Sequence, residues 1–145
     1  MSARVEVLHV DGYQHEATTR GHSIVGDEPE SVGGNDRGMT PYEFLLSALG
    51  TCTAMTLRMY AERKGWDLQD VRVVLEHDRV HADDCEECES GEGQISRIRR
   101  HVQVTGDLDD EQRERLQEIA NKCPVHRSLE GPIEIFDVET LDEES

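Results

Sequence analysis

One segment limits the possible folds more than any other: TPYEFLLSALGTCTAMTLRMYAERKG, residues 40–65. Thr40 is a good helix N-cap and Pro41 suits the first helical position. Glu43 stands three residues after the cap, at capping-box spacing. Gly65 supplies the stop. The spacing predicts a helix over 41–64, about 36 Å long at 1.5 Å per residue. From Phe44 to Met59 the segment is apolar or small nearly all round. Such a helix is expected to be buried on several sides, at the centre of its domain.

The flanking elements follow from alternation and turn chemistry. Val5, Val7 and Val10 alternate with Arg4, Glu6 and His9, and Asp11-Gly12 is a turn signal, so 3–19 reads as a hairpin. A third strand fits 21–26, and the Gly-rich polar run 27–40 reads as a loop. Val71–His81 reads as a strand, 82–93 as a polar loop, and 94–105 as a strand with one break in phase, taken as a bulge. A second helix starts at 107–110 with acids at its positive end, and Pro124 ends it just after Cys123. One further turn fits 125–130. Ile133, Ile135 and Val138 suggest a last strand. The order β-β-β-α-β-β-α-β is α+β. A single domain over 1–145 is expected: N-terminal strands and loop in 1–40, central helix in 41–64, remaining strands and second helix in 71–138, and an acidic tail in 139–145.

Charge narrows the function. The 145 residues hold 15 Lys+Arg against 32 Asp+Glu, a formal charge of −17. Nucleic-acid and anionic-membrane partners are disfavoured, because both need clustered basic residues. The acids fall in runs at 27–30, 83–92, 107–114 and 142–144, between clean apolar segments. That map favours a folded domain with an acidic shell over disorder. Lys64 and Lys122 are the only lysines. The shell resembles that of proteins from salt-loaded cytoplasms, where molar salt shortens the Debye length to ~3 Å and screens self-repulsion. No stretch reaches the ~20 apolar residues of a membrane span, and the N-terminus lacks a signal-peptide core. The expected location is cytoplasmic. Cys52, Cys85, Cys88 and Cys123 then point to catalysis or metal binding rather than structural disulfides.

Cys52 sits mid-helix among Gly50, Thr51, Thr53 and Ala54, which leave room beside its sulfur. It reads either as an inert buried thiol or as a reactive one. Cys123, in CPVHR, ends the second helix with His126 and Arg127 close behind, and nearby cations favour a thiolate. Two helix-borne cysteines that meet across a core would make an attacking and resolving pair. The central helix, followed roughly 70 residues later by a helix ending in CPVH, resembles the OsmC/Ohr family of thiol-dependent hydroperoxide reductases. The resemblance covers residues ~35–138, and within the family it is nearest the less characterised branch with SPYELLLAALGAC-type helices. It implies two antiparallel sheets around two buried central helices, built by an intertwined homodimer. It implies that Cys52 is oxidised to a sulfenic acid by an organic hydroperoxide and that Cys123 resolves it as a disulfide. A dithiol reductant then reopens that bond, and no cofactor is required.

The family's peroxidases carry a glutamate directly after the helix-opening proline, paired with a distant arginine. Here Tyr42 takes that place and the acid is Glu43. Nine residues turn a helix ~900°, so Glu43 points ~180° away from Cys52; it reads either as the capping acid or as the catalytic acid that the resemblance implies. Arg20 and Arg37 both fit the arginine by position. A separate cluster, HDRVHADDCEEC, spaces His77, His81, Cys85 and Cys88 as H-x3-H-x3-C-x2-C. It reads as a zinc site, as an accessible dithiol, or as a plain acidic loop. The rival functions are accordingly a metal-binding protein and a small-ligand module that keeps the fold without efficient turnover.

Overall fold

A computed structural model describes residues 2–81 and 94–140. The chain divides into two compact units, one from residues 1–45 and 134–145, the other from residues 46–133.

The first unit is built on a meander of three antiparallel strands, β1 (Glu6–Asp11), β2 (Gln14–Thr19) and β3 (His22–Gly26). The first turn is Gly12-Tyr13, one residue beyond the Asp11-Gly12 signal: Asp11 still pairs with Gln14, and Gly12 takes φ 56°. Arg20 and Gly21 both take positive φ (50° and 82°) at the second, the pairing that matches strand twist in a tight hairpin. The loop that follows is organised by Asp27, which is only 2% exposed. Its carboxylate accepts backbone N–H groups from Glu28 (2.8 Å), Arg37 (3.1 Å) and Asn35 (3.3 Å). The Glu28 bond is the largest cause of a lowered Asp27 pKa. Burial opposes it, and the Arg37 and Asn35 bonds add to it. A depressed folded pKa contributes stability above the unfolded value and loses it as pH falls. We therefore expect Asp27→Asn to lower the urea midpoint at neutral pH. The gap from wild type should close below about pH 4, where the unfolded carboxyl also protonates.

The long helix α1 (Pro41–Lys64) begins and ends where the sequence places it. Thr40 and Glu43 form the reciprocal cap: Glu43 N–H donates to Thr40 Oγ1 (3.2 Å) and Thr40 N–H to Glu43 Oε1 (2.8 Å). Gly65 takes φ 69° just past the end. In the second unit β4 (Asp67–His81) and β5 (Gln94–Asp107) pair as one long antiparallel ribbon. It is followed by α2 (Asp110–Ala120) and α3 (Pro124–Glu130). Asp109 and Gln112 cap α2 reciprocally. The core joins Leu57 and Ala61 of α1, Leu68 of β4, Val102 and Val104 of β5, and Leu116, Ile119 and Ala120 of α2. It is helix-on-sheet packing, α+β with two antiparallel sheets.

Three expectations are corrected. The phase break in β5 is no bulge: pairing runs unbroken from Ile95 to Val104, and the register shift lies in β4, between Leu68 and Asp70. Within one chain α1 buries a single stripe (Leu49, Gly50, Thr53, Leu57 and Ala61) and leaves Met55 and Met59 exposed. The second unit covers only that flank. Residues 133–138 form no strand and are exposed; their alternation is real, but among the described residues no ladder partner pairs with them. Among the described residues, no helix is long and apolar enough to cross a membrane.

Candidate functional site

The site lies in the second unit, where α1 passes the joint between α2 and α3. Gly50 permits the approach of β4 to α1, because a Cβ there would stand 2.8 Å from Leu75 Cδ1. Cys52, one half-turn on, is half-buried and Cys123 is fully buried; both are free thiols. The second helix does not reach Cys123 as the sequence suggested: α2 stops at Ala120 with Asn121 as its C-cap, and Cys123 instead caps α3, its sulfur accepting the His126 N–H at 3.4 Å. The two cysteine side chains lie close enough for each to shift the other's thiol. The attacking and resolving residues anticipated from sequence are thus brought together.

Their electrostatics differ. Burial pushes the Cys52 thiol up, helped by its hydrogen bond to Cys123 and by the Cys123 charge. The Val125 N–H and the Thr56 hydroxyl pull it down less strongly. Burial also works to raise Cys123, but four donors outweigh it: the Cys52 S–H, the His126 N–H, the Thr53 hydroxyl and the Val125 N–H. The Cys123 thiol lies below its ordinary value. The geometry explains the order, because a sulfur at a helix start meets backbone N–H groups that have no helical partner. The cause differs from the neighbouring cations read from CPVHR. His126 acts through its backbone, and its ring Nε2 stands 2.8 Å from Glu130 Oε1.

Sequence reasoning missed Arg100. Alternating burial along β5 makes it the inward residue between Ile98 and Val102. Its Nη1 donates to Thr53 Oγ1 and its Nη2 to Asn121 Oδ1, both at 3.0 Å. Arg100 thereby ties the neighbour of Cys52 to the approach to Cys123. Thr53 in turn donates to the Leu49 carbonyl at 2.7 Å and stands 4.0 Å from Cys123 Sγ. Its single proton serves Leu49 first, so the contact with Cys123 is the weaker one. The signal was present in the period-2 pattern, where a charged residue held an inward place.

The other anticipated residues lie elsewhere. Glu43 is engaged in the α1 cap. Arg20 is exposed at the β2–β3 turn, and Arg37 is exposed in the loop that Asp27 organises; both belong to the first unit. His77 and His81 stand on β4, while Cys85 and Cys88 lie outside the described residues. Among the described residues no group of three or more His, Cys, Asp or Glu side chains is placed to hold a metal ion. The zinc reading has no support there. Trp66 anchors the end of α1, edge-on to Tyr60 with ring centroids 5.4 Å apart.

Comparison with known proteins bears on this architecture. The family model for OsmC-like proteins matches residues 33–136. Among solved structures, an OsmC-like protein from Mycoplasma pneumoniae aligns with TM-score 0.71 at 19% identity, over 90% of this chain and 89% of its own. An organic hydroperoxide resistance protein OsmC from Legionella pneumophila aligns with TM-score 0.65 at 19% identity, over 90% of each chain. The organic hydroperoxide resistance protein OhrB of Bacillus subtilis gives 0.62 at 17%, over 90% of this chain and 92% of its own. Among curated proteins, no match is found. With most of its length matched by the family model and its fold shared with these structures, the chain belongs to the OsmC-like family.

Proposed function

We propose that the protein is a thiol-dependent peroxidase that reduces organic hydroperoxides through Cys52 and Cys123. The observation that carries this reading is the pairing of two free thiols close enough to perturb each other, one sulfur accessible and one buried. A hydroperoxide can meet only the accessible sulfur. Cys52 as thiolate attacks the distal oxygen, the O–O bond breaks, and the alkoxide leaves and takes a proton as the alcohol. Cys52 then carries a sulfenic acid. The lowered Cys123 thiol suits the second step. Its thiolate attacks the Cys52 sulfur and displaces hydroxide, which leaves as water. Two thiols give up two electrons, and a dithiol reductant restores them. Arg20 or Arg37 is proposed as the arginine that orients Cys52, from their places in the chain. The working form is proposed to be a homodimer in a reducing cytoplasm. The exposed apolar residues of both units support that assembly, among them Val7, Ile24, Met59 and Phe136.

The test is a stoichiometry. One equivalent of an alkyl hydroperoxide should consume two thiols and give a Cys52–Cys123 disulfide, read by thiol titration and peptide mapping. Cys52→Ser should reduce peroxide consumption to the buffer background. Unchanged consumption in that variant would sink the mechanism.

A further inference from the structure

The chain is strongly acidic, yet its two lysines and two of its arginines gather near Tyr60, either over its ring or on the lining of the same depression. Arg63 and Lys64 end α1, Arg115 stands on α2, and Lys122 follows α2. Three of these cations sit over the Tyr60 ring, with Lys64 Nζ and Arg115 Cζ 5.7 Å and Arg63 Cζ 5.8 Å from its centroid. Arg115 Nε also donates to the Tyr60 hydroxyl at 3.1 Å. Next to them lies an open depression of about 900 Å³ with Arg63, Arg115 and Lys122 on its lining. Met59 and Ile119 give it apolar wall. Thr56 and Pro124 also line it; the first stands one helical turn after Cys52 and lowers its thiol, and the second follows Cys123 in the chain. Glu62 is on the lining too, and Arg115 is shared with Glu118 at 2.7 Å. Lys122 has no ion pair among the described residues. The potential is felt locally: the Tyr60 phenol is lowered, first by the Arg115 hydrogen bond, against burial, and then by the charges of Arg115, Lys64 and Arg63.

The leading influences on Cys52 and Cys123 are burial, each other, the Val125 and His126 N–H groups, and Thr56 and Thr53. Lys122, with no ion pair among the described residues, is available to an incoming anion. A volume of this size suits a small molecule. The turnover described above needs one reactant that attacks as an anion, namely the thiolate that reopens the disulfide. A hydroperoxide, by contrast, reacts as a neutral electrophile. The accessible end of that disulfide is Cys52, because Cys123 is wholly enclosed.

We propose that this basic depression docks the reductant, and that the reductant is a small thiol bearing a carboxylate. Arg63, Arg115 and Lys122 hold its anionic end while its sulfur is delivered to Cys52. The thiolate attacks Cys52, the S–S bond breaks, and the electron pair leaves on Cys123 as thiolate. A second thiol then attacks the reductant's sulfur in the mixed disulfide and frees Cys52. Two thiols become one disulfide, and their two protons and two electrons pass to the cysteine pair. The inference rests on the peroxidase reading for its place in turnover, but its test does not. The disulfide can be made with diamide, so failure of peroxide chemistry and failure of docking are separable.

The full-length protein, oxidised with diamide at low ionic strength, is reduced with 3-mercaptopropionate or with 2-mercaptoethanol, and rates are compared per thiolate. We expect the anionic thiol to be about tenfold faster, a modest electrostatic gain. Salt at a few hundred millimolar should erase most of the difference. Lys122→Glu should bring the ratio to one or below. Arg72→Glu, the same charge change on exposed β4, should keep it. A ratio near one in wild type, or a ratio that survives Lys122→Glu, overturns the proposal. So does a charge preference that appears in oxidation by a carboxylate-bearing over a neutral hydroperoxide and not in reduction.

Discussion

Replacing Cys123 with serine is expected to speed the first oxidation of Cys52 while stopping the catalytic cycle. Two of the causes that hold the Cys52 thiol up belong to Cys123: its hydrogen bond and its negative charge. Serine removes the charge, and burial alone remains as the main upward cause. Thiolate is the attacking species, so each unit of fall in pKa gives ten times more of it at neutral pH. Intrinsic nucleophilicity falls with pKa, which leaves a net gain of about threefold per unit. Iodoacetamide labelling of Cys52 at pH 7 should therefore quicken several-fold. One equivalent of alkyl hydroperoxide should give a sulfenic acid, trapped by dimedone and read by mass. Turnover with a dithiol should fall at least about tenfold, because the internal disulfide can no longer form. Slower labelling of Cys52 would mean that Cys123 acts as its base, and the charge order described here would be reversed.

Gly106→Ala is expected to be the most damaging single methyl. Gly106 has φ +147°, and an added Cβ would overlap the Asp67 carbonyl oxygen, with Gln69 N a further 3.0 Å neighbour. Both are backbone atoms beside the register shift in β4, so neither can swing aside. Conformational strain and overpacking each cost 1–3 kcal/mol, which gives about 3 kcal/mol together. The melting temperature should fall by about 10 °C. Gly12→Ala is the control. It has φ +56° with nothing within 4 Å of the added carbon, and should lose only about 1 kcal/mol. Equal losses at the two positions would refute the close-approach argument.

What could be read in the sequence is what local chemistry settles. The ends of α1 are legible because Thr40, Pro41, Glu43 and Gly65 each satisfy a helix terminus in their own way. The cysteine pair is legible because Cys52 sits on a strongly patterned helix and CPVH carries the family resemblance, although Cys123 itself lies between α2 and α3. Arg100 is not, since a lone charge at an inward strand position looks like a fault in alternation until the partners Thr53 and Asn121 are known. Nor is the charge order of the thiols. It depends on Cys123 capping a helix whose existence the sequence hints at only as one further turn. The exposed alternation at 133–138 shows the converse limit, since strand propensity without a neighbouring strand makes no sheet.

The double position of Cys123 has an energetic consequence for redox balance. The sulfur that caps α3 is the same sulfur that a disulfide would consume. A neutral disulfide sulfur accepts the His126 N–H far less well than a thiolate does. Oxidation therefore uncaps a helix of only 7 residues, and reduction restores the cap. A cap is worth about 1 kcal/mol, or about 20 mV for a two-electron couple. The sign favours the reduced form, which makes the pair a stronger oxidant than two unanchored thiols and eases its own reopening. Each cycle would then leave its trace in the order of the short segment after Cys123.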